Sequence, residues 1–431
     1  MLANMAVSER ITTPEQAVRL IKSGDRVYVC GNAATPFILL ESLVDRAEEL
    51  EDVELLHVLQ VGKDPLAELP SGDRIRHNSL FVGPGDREAV NTGRGDYIPI
   101  HLHEIPKLLA NEDFSIDVAL IHTSPPDEHG FLSLGVEVIT SKTAVERADR
   151  VVAMVNPRMP RTLGDSFVHV SQVDAFVLHE TDLPVLEPSP FTEVEDQIAK
   201  YIADLVPDGA CLQMGIGGIP NAVLNRLKSK NDLGIHTEMM TSGMVELLEM
   251  GVVTGACKNI HRNKAVCTFA MGTEFLYDYI RNNPIFEFHP VEYTNDPEVI
   301  AQHDNMVAVN SALEIDLTGQ VCADSIGRYI YSGFGGQVDF IRGAGHSKNG
   351  LPIIAMPSTA KRGEITRIVP TLKEGAGVVT SRADIDLVVT EFGARQMFGK
   401  NLRERAHALI EIAHPDFRDQ LIDAARDRNL W

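Results

Sequence analysis

Cationic side chains are in short supply. Across 431 residues, 39 Lys and Arg stand against 61 Asp and Glu, a formal net charge of −22. Affinity for a phosphate backbone comes from Lys and Arg releasing counterions, so a chain of this sign excludes non-specific nucleic-acid binding. Cysteine is scarce too. The five present (Cys30, Cys211, Cys257, Cys267, Cys322) form no Cys-x-x-Cys pair, and an odd number leaves one unpaired, which fits a reducing, cytoplasmic setting. The first ten residues lack the basic start and apolar stretch of a secretory signal. Runs such as Val151–Val155 fall far short of the ~20 apolar residues that span a bilayer. A soluble intracellular protein with no membrane partner is expected. A Gly-x-Ser-x-Gly elbow and a Gly-x-x-x-x-Gly-Lys-Ser/Thr loop are also missing, which weakens serine-hydrolase and P-loop readings.

What is present is ordinary globular composition, 44% hydrophobic and 23% charged, in a chain long enough for two or three domains. Comparison of the chain with itself exposes a weak repeat. Thr13-Pro14-Glu15-Gln16 starts a helix with a hydroxyl at N-cap, the strand-like Arg26–Cys30 ends at Gly31, and Pro36 leads a helix carrying Leu39, Leu40 and Leu43. The second half repeats the order. The capping box Thr192–Glu195 opens a helix, Ala210–Met214 reads as a strand ending at Gly215, and Pro220 opens a helix with Val223, Leu224 and Leu227. Gly31 and Gly215, Pro36 and Pro220, and Leu43 and Leu227 all stand 184 residues apart. Between the halves, Pro184, Pro188 and Pro190 disfavour helix. The expected division is therefore a first domain over 1–183, a linker over 184–190 and a second domain over 191–431. Near-continuous apolar runs at Ile116–Ile121, Arg150–Val155, Ala175–Leu178, Ile353–Met356 and Ile385–Val389 predict buried strands of mostly parallel sheets. Ligands of such sheets bind beyond the C-terminal strand ends.

Those ends carry the candidate chemistry. Gly215-Ile216-Gly217-Gly218-Ile219-Pro220 offers backbone N–H groups and a helix start to an anion or oxyanion. A dinucleotide fingerprint competes for the same stretch, with Glu238 near the spacing of its acidic residue, but Pro220 occupies the third glycine position and has no N–H. A plain structural turn is the other alternative. Glu238, after a short strand, stands where a carboxylate nucleophile toward an activated carbonyl belongs. Tyr331–Phe340, with Gly335 and Gly336, offers a second backbone cradle, and Lys361-Arg362 offers charge to phosphates. His101-Leu102-His103-Glu104 is expected as an extended segment with both imidazoles on one face. With His129 it sketches a metal hydrolase, without completing a ligand set.

Ser124-Pro125-Pro126-Asp127-Glu128-His129-Gly130, Gly215–Pro220, Thr237-Glu238, Gly335–Phe340 and Ala360-Lys361 together resemble the acetyl-CoA hydrolase/transferase family of class I CoA-transferases. The likeness runs over the whole chain and is greatest to its 4-hydroxybutyrate and butyrate:acetate branch. It implies two related open α/β domains of the NagB/RpiA/CoA-transferase-like type, with the active site between them and a homo-oligomer of two or four chains. It implies Glu238 as the acylated residue and CoA contacts at Gly215, Ile216, Gly217, Gly218, Ile219, Asn310, Gly335, Gly336 and Lys361. Coenzyme A is then a substrate, acetyl-CoA and small carboxylates are the partners, and no metal or tightly bound cofactor is required. Many relatives carry Asp-Gly where this chain has Ser242-Gly243, which bears on the acceptor. The rival readings are acetyl-CoA hydrolysis, succinyl-CoA:acetate CoA transfer, a metal-dependent hydrolase and a non-enzymatic CoA-binding regulator.

Overall fold

The computed structural model describes residues 7–67, 69 and 74–431. The chain forms two compact units, Met1–Leu186 with Val266–Thr294, and Glu187–Ala265 with Asn295–Trp431. It first crosses beside the proline-rich segment, which is irregular throughout. The return of 266–294 to the first unit has no composition signal. It is held there by backbone bonds, Val138 N–H to the Thr268 carbonyl and Ala270 N–H to the Val136 carbonyl.

The first unit is built on seven strands: β1 (Arg26–Val29), β2 (Val53–Val58), β3 (Ile75–Phe81), β4 (Asp96–Tyr97), β5 (Val118–Thr123), β6 (Arg150–Val155) and β7 (Ala175–Leu178). Their order is β4-β3-β2-β1-β5-β6-β7, and every pairing is parallel. Helix α1 (Phe37–Val44) follows Pro36 and lays Leu39 and Leu43 on Val27, Val29, Leu55, Leu120 and Met154, all buried. Each such side chain withdrawn from water contributes roughly 1.5–3 kcal/mol. Glu54, which the repeat sets opposite the neighbourhood of Glu238, lies at the start of β2 and accepts from Arg26 and Asn78, a structural arrangement.

His101-Leu102-His103-Glu104 is not extended. Leu102–Glu104 forms a 3-10 turn that leads into the helix Ile105–Leu109, whose second residue is Pro106, and the two imidazoles stack across the turn with centroids 6.2 Å apart.

The second unit repeats the plan. Helix α2 (Glu193–Leu205) starts with the expected Thr192–Glu195 box and leads to β8 (Cys211–Met214), α3 (Gly218–Arg226), β9 (Gly234–His236) and α4 (Ser242–Glu249). Strands β10 (Met306–Ser311), β11 (Leu351–Ala355), β12 (Leu387–Thr390) and β13 (Gly393–Gln396) lie in the same eight-stranded sheet, six strands of which run in the order β9-β8-β10-β11-β12-β13. Only the last pairing is antiparallel. Helix α5 (Gln337–His346) packs Phe340 and Ala344 on Cys211, Met306 and Ala308. Strand β8 thus occupies the place of β1, each flanked by parallel neighbours and followed by a glycine and a helix. No helix among the described residues is long and apolar enough to cross a membrane.

One buried acid in the first unit has a stability consequence. Glu137 is 1% exposed, accepts a short hydrogen bond from Ser141 Oγ, and has no hydrogen-bond partner at Oε1 among the described residues. Ser141 Oγ also lies 3.0 Å from the Tyr28 hydroxyl. Burial pushes the Glu137 carboxyl up to about 8. Between the ordinary carboxyl range and that value, the folded state keeps a proton that the unfolded state has lost, so stability falls as pH rises through the window, by about 1.4 kcal/mol per unit. Glu137→Gln removes this titration. Urea melts at pH 5 and pH 8.5 should show the native protein losing more stability than the variant; equal losses would refute the assignment.

Candidate active site

The second unit places its candidate residues at the C-terminal ends of adjacent parallel strands. Gly215 follows β8, Glu238 lies just beyond β9, Asn310 is the penultimate residue of β10, and the segment leading to Lys361 follows β11.

The glycine loop is shaped by one backbone conformation and one close approach. Gly217 takes φ +117° and ψ −179°, a region open to glycine alone, and caps α3. A Cβ on Gly218 would overlap the Glu195 carboxylate, so the same glutamate that closes the box at the start of α2 lies directly against the loop. The turn at Gly217 lets α3 begin at Gly218, two residues before the expected start, and puts Pro220 at its third position. The first N–H groups of a helix have no partner within it, and here those of Gly218 and Ile219 fall at the loop. Ile216 beside them is 49% exposed, an apolar side chain on the open side of the loop.

Glu238 is fixed from several directions. Thr237 Oγ1 lies within hydrogen-bond reach of two carbonyls, Met214 at 3.3 Å and Met239 at 3.2 Å, which sets the end of β9 against the residue before Gly215. Asn295 Nδ2 donates to Glu238 Oε2 at 2.9 Å and stands 3.5 Å from Asp339 Oδ2. The Gly336 N–H donates to the Glu238 carboxylate from the N-cap of α5. A Cβ on Gly336 would overlap both Glu238 Oε2 and Asn295 Nδ2. Glu238 as a residue is half-buried, but its carboxyl is enclosed deeply enough to be pushed up to about 7. Burial is the leading cause and like charge from Asp339 adds to it, against the bonds from Asn295 and Gly336, which favour the ionised form.

Asn310 Nδ2 donates to Gln213 Oε1 at 3.2 Å, which ties β10 to β8. Gly335, at φ +55°, sets the turn that brings Gly336 to the glutamate. Lys361 and Arg362 are exposed, at φ +48° and +59°, on the tip of a hairpin between Thr359–Ala360 and Ile365–Thr366. Glu238 and Gly336 therefore meet directly with Gly335 setting the turn, Thr237 links Glu238 to the glycine loop, and Lys361 stands on an arm of its own.

Asn295, Asp339 and Gln213 are site residues that the sequence reading did not single out. Asn295 immediately precedes Asp296-Pro297-Glu298, which starts a short helix, and that helix signal was its only mark. Asp339 follows the glycine-rich stretch Gly333–Gly336 by three residues, in the first turn of α5. The rival metal reading is not supported by the geometry: among the described residues no group of three candidate metal ligands includes His101, His103 or His129.

The arrangement is a carboxylate of raised proton affinity, gripped by two N–H donors beside a loop of backbone N–H groups. It suits nucleophilic attack on a carbonyl whose developing charge needs donors. Residues 5–187 match the model of the acetyl-CoA hydrolase/transferase N-terminal domain, and residues 272–425 that of the C-terminal domain. The chain is 47% identical over 420 residues to a 4-hydroxybutyrate coenzyme A transferase of Clostridium kluyveri, covering 97% of this chain and 98% of that one. It is 46% identical to a succinyl-CoA:acetate/propanoyl-CoA:succinate CoA transferase of Fasciola hepatica, over 96% of this chain and 87% of that one. The crystal structure of RipA from Yersinia pestis superposes with a TM-score of 0.94 at 40% identity, over the full length of both chains.

Proposed function

This chain belongs to the acetyl-CoA hydrolase/transferase family, and from that premise we propose that it moves coenzyme A from an acyl-CoA such as acetyl-CoA to a small carboxylate such as 4-hydroxybutyrate or butyrate, with Glu238 as the covalent nucleophile. The observation that carries the reading is the Glu238 carboxylate, held by Gly336 and Asn295 and fastened through Thr237 to the glycine loop.

In its ionised form Glu238 adds to the thioester carbonyl. A C–O bond forms, the C–S bond breaks, and CoA departs as a thiolate, leaving a mixed anhydride. The N–H groups of the loop from Gly215 to Ile219 supply donors for the oxyanion of this step. The thiolate then adds to the glutamyl carbonyl, acetate leaves with the electron pair, and a glutamyl-CoA thioester remains. An acceptor carboxylate runs the two steps in reverse and departs as its CoA ester. The thioester energy is kept in covalent form throughout, and the kinetics are ping-pong. Contacts from Asn310, Gly335 and the Lys361 hairpin hold the remote part of CoA, whose binding energy helps drive the reacting end into geometry. The five cysteines are all free, which supports a reducing compartment as the place of work.

Thiol release separates transfer from hydrolysis. With acetyl-CoA alone, acetate should be released to about one enzyme equivalent while the CoA stays on the protein as a thioester and no free CoA accumulates, and adding 4-hydroxybutyrate or butyrate should produce the new acyl-CoA. Sustained CoA release without an acceptor would make the protein a hydrolase. An acceptor panel in the same assay ranks the carboxylates, a choice that rests on a few buried polar contacts.

A further inference from the structure

We propose that Asp339 is a positioning residue: from the first turn of α5 it holds the Asn295 carboxamide so that an N–H stays on Glu238 Oε2 in every covalent state of that side chain. The proposal rests on Glu238 being the acylated residue. Asn295 is fully buried and Asp339 is 1% exposed, so neither competes with solvent for partners. One amide nitrogen, Asn295 Nδ2, serves both carboxylates, at 2.9 Å to Glu238 and 3.5 Å to Asp339. Rotating the carboxamide by half a turn would set its oxygen against two anions.

The two anions differ in one respect. Glu238 loses its charge each time it is acylated, and with it much of its hold on the amide. Asp339 is untouched by the chemistry. It lies at the third position of α5, where the helix N-terminus favours negative charge. Asp339 therefore keeps the N–H directed at the glutamyl oxygen while that carbon is neutral and about to be attacked. Two of the four steps occur there. In one, the CoA thiolate forms the C–S bond and acetate leaves with the electron pair of the broken C–O bond. In the other, the acceptor carboxylate forms a C–O bond and the thiolate leaves with the pair of the C–S bond. Neither step transfers a proton, so the oxygen of the glutamyl group carries the developing charge and needs a donor already in place. Asn295, Gly336 and Asp339 are the groups that bear on Glu238 from the elements around it, and Asp339 is the charged one.

The test is Asp339→Asn, alone and in an Asn295→Ala background, with kcat, KM for acetyl-CoA and the pH profile of kcat/KM measured for each. The native acid limb is expected near the Glu238 value of about 7, with activity rising as the carboxylate ionises. In Asp339→Asn that limb should move to lower pH, because a like charge has gone. At pH 8, kcat should fall about tenfold with KM little changed. In the Asn295→Ala background the same substitution should cost no further kcat. A folded Asp339→Asn protein with an unmoved limb, or with the same kcat loss whether or not Asn295 is present, would overturn the proposal. If that variant does not fold, Asp339→Glu keeps the charge and displaces it by one methylene: reduced kcat with the limb in place supports the role, and native kcat refutes it. Failure of the Glu238 reading looks different, since the native protein itself would then turn over without forming a CoA adduct.

Discussion

Glu238→Ala should abolish the covalent CoA adduct and lower kcat on the order of 10⁴-fold or more, the scale seen when a covalent nucleophile is removed. Intact-protein mass spectrometry after mixing with acetyl-CoA reads the first effect, and a transferase assay the second. The native protein should gain the mass of CoA less one water; the variant should stay at its own mass. The substitution is expected to be gentle on the fold. Glu238 lies beyond a strand end, and its carboxyl is held against the preference of burial, with a like charge close by. Removing it relieves that cost and leaves the Thr237 bond to Met214 in place. Full turnover in the variant, or an adduct that survives the change, would remove Glu238 from the mechanism.

The second large effect comes from a residue with no functional group. Gly336→Ala adds one methyl, at a backbone φ of −92° that alanine adopts without strain. The backbone therefore has no need of glycine there. The site does, because the new Cβ would overlap Glu238 Oε2 and Asn295 Nδ2. The carboxylate must shift away from the Gly336 N–H and the Asn295 amide, and displacement of a reacting group by about 1 Å costs on the order of 10²-fold in rate. We expect kcat/KM to fall by about that factor and the melting temperature to drop as well, since overpacking a buried site costs about 1–3 kcal/mol. A variant with native kinetics would mean that the carboxylate and amide have room the structure does not show.

These two residues also mark how far the sequence can be read. The glycine loop, the strand before it and the helix after it were legible because each has a local cause: an apolar run, a residue able to take positive φ, a helix start. Glu238 was legible as a candidate from its place after a strand. Its setting was not. Asn295 is 57 positions away and Asp339 101, and both reach it only because β9, β8 and β10 lie side by side, with α5 over the sheet. The register between distant strands is not written in either segment alone. The return of residues 266–294 to the first unit was invisible for the same reason, as it depends on backbone bonds between segments about 130 residues apart. At Pro220 a local rule placed the helix start two residues late, because the chain turns at Gly217, where a larger residue is not tolerated. At His101–Glu104 the alternation was read as extended, but the segment curls into the proline-led helix that follows.

The Thr237 hydroxyl has a consequence for how such an enzyme diversifies. Through its contact with the Met214 carbonyl, it joins Glu238, the proposed nucleophile, and the glycine loop in one frame made of two neighbouring strand ends. Attack distance is then inherited as a unit. Side chains elsewhere can be exchanged to admit a longer, shorter or more polar carboxylate without retuning the bond-making geometry. A scaffold of this kind separates what must stay constant from what is free to drift.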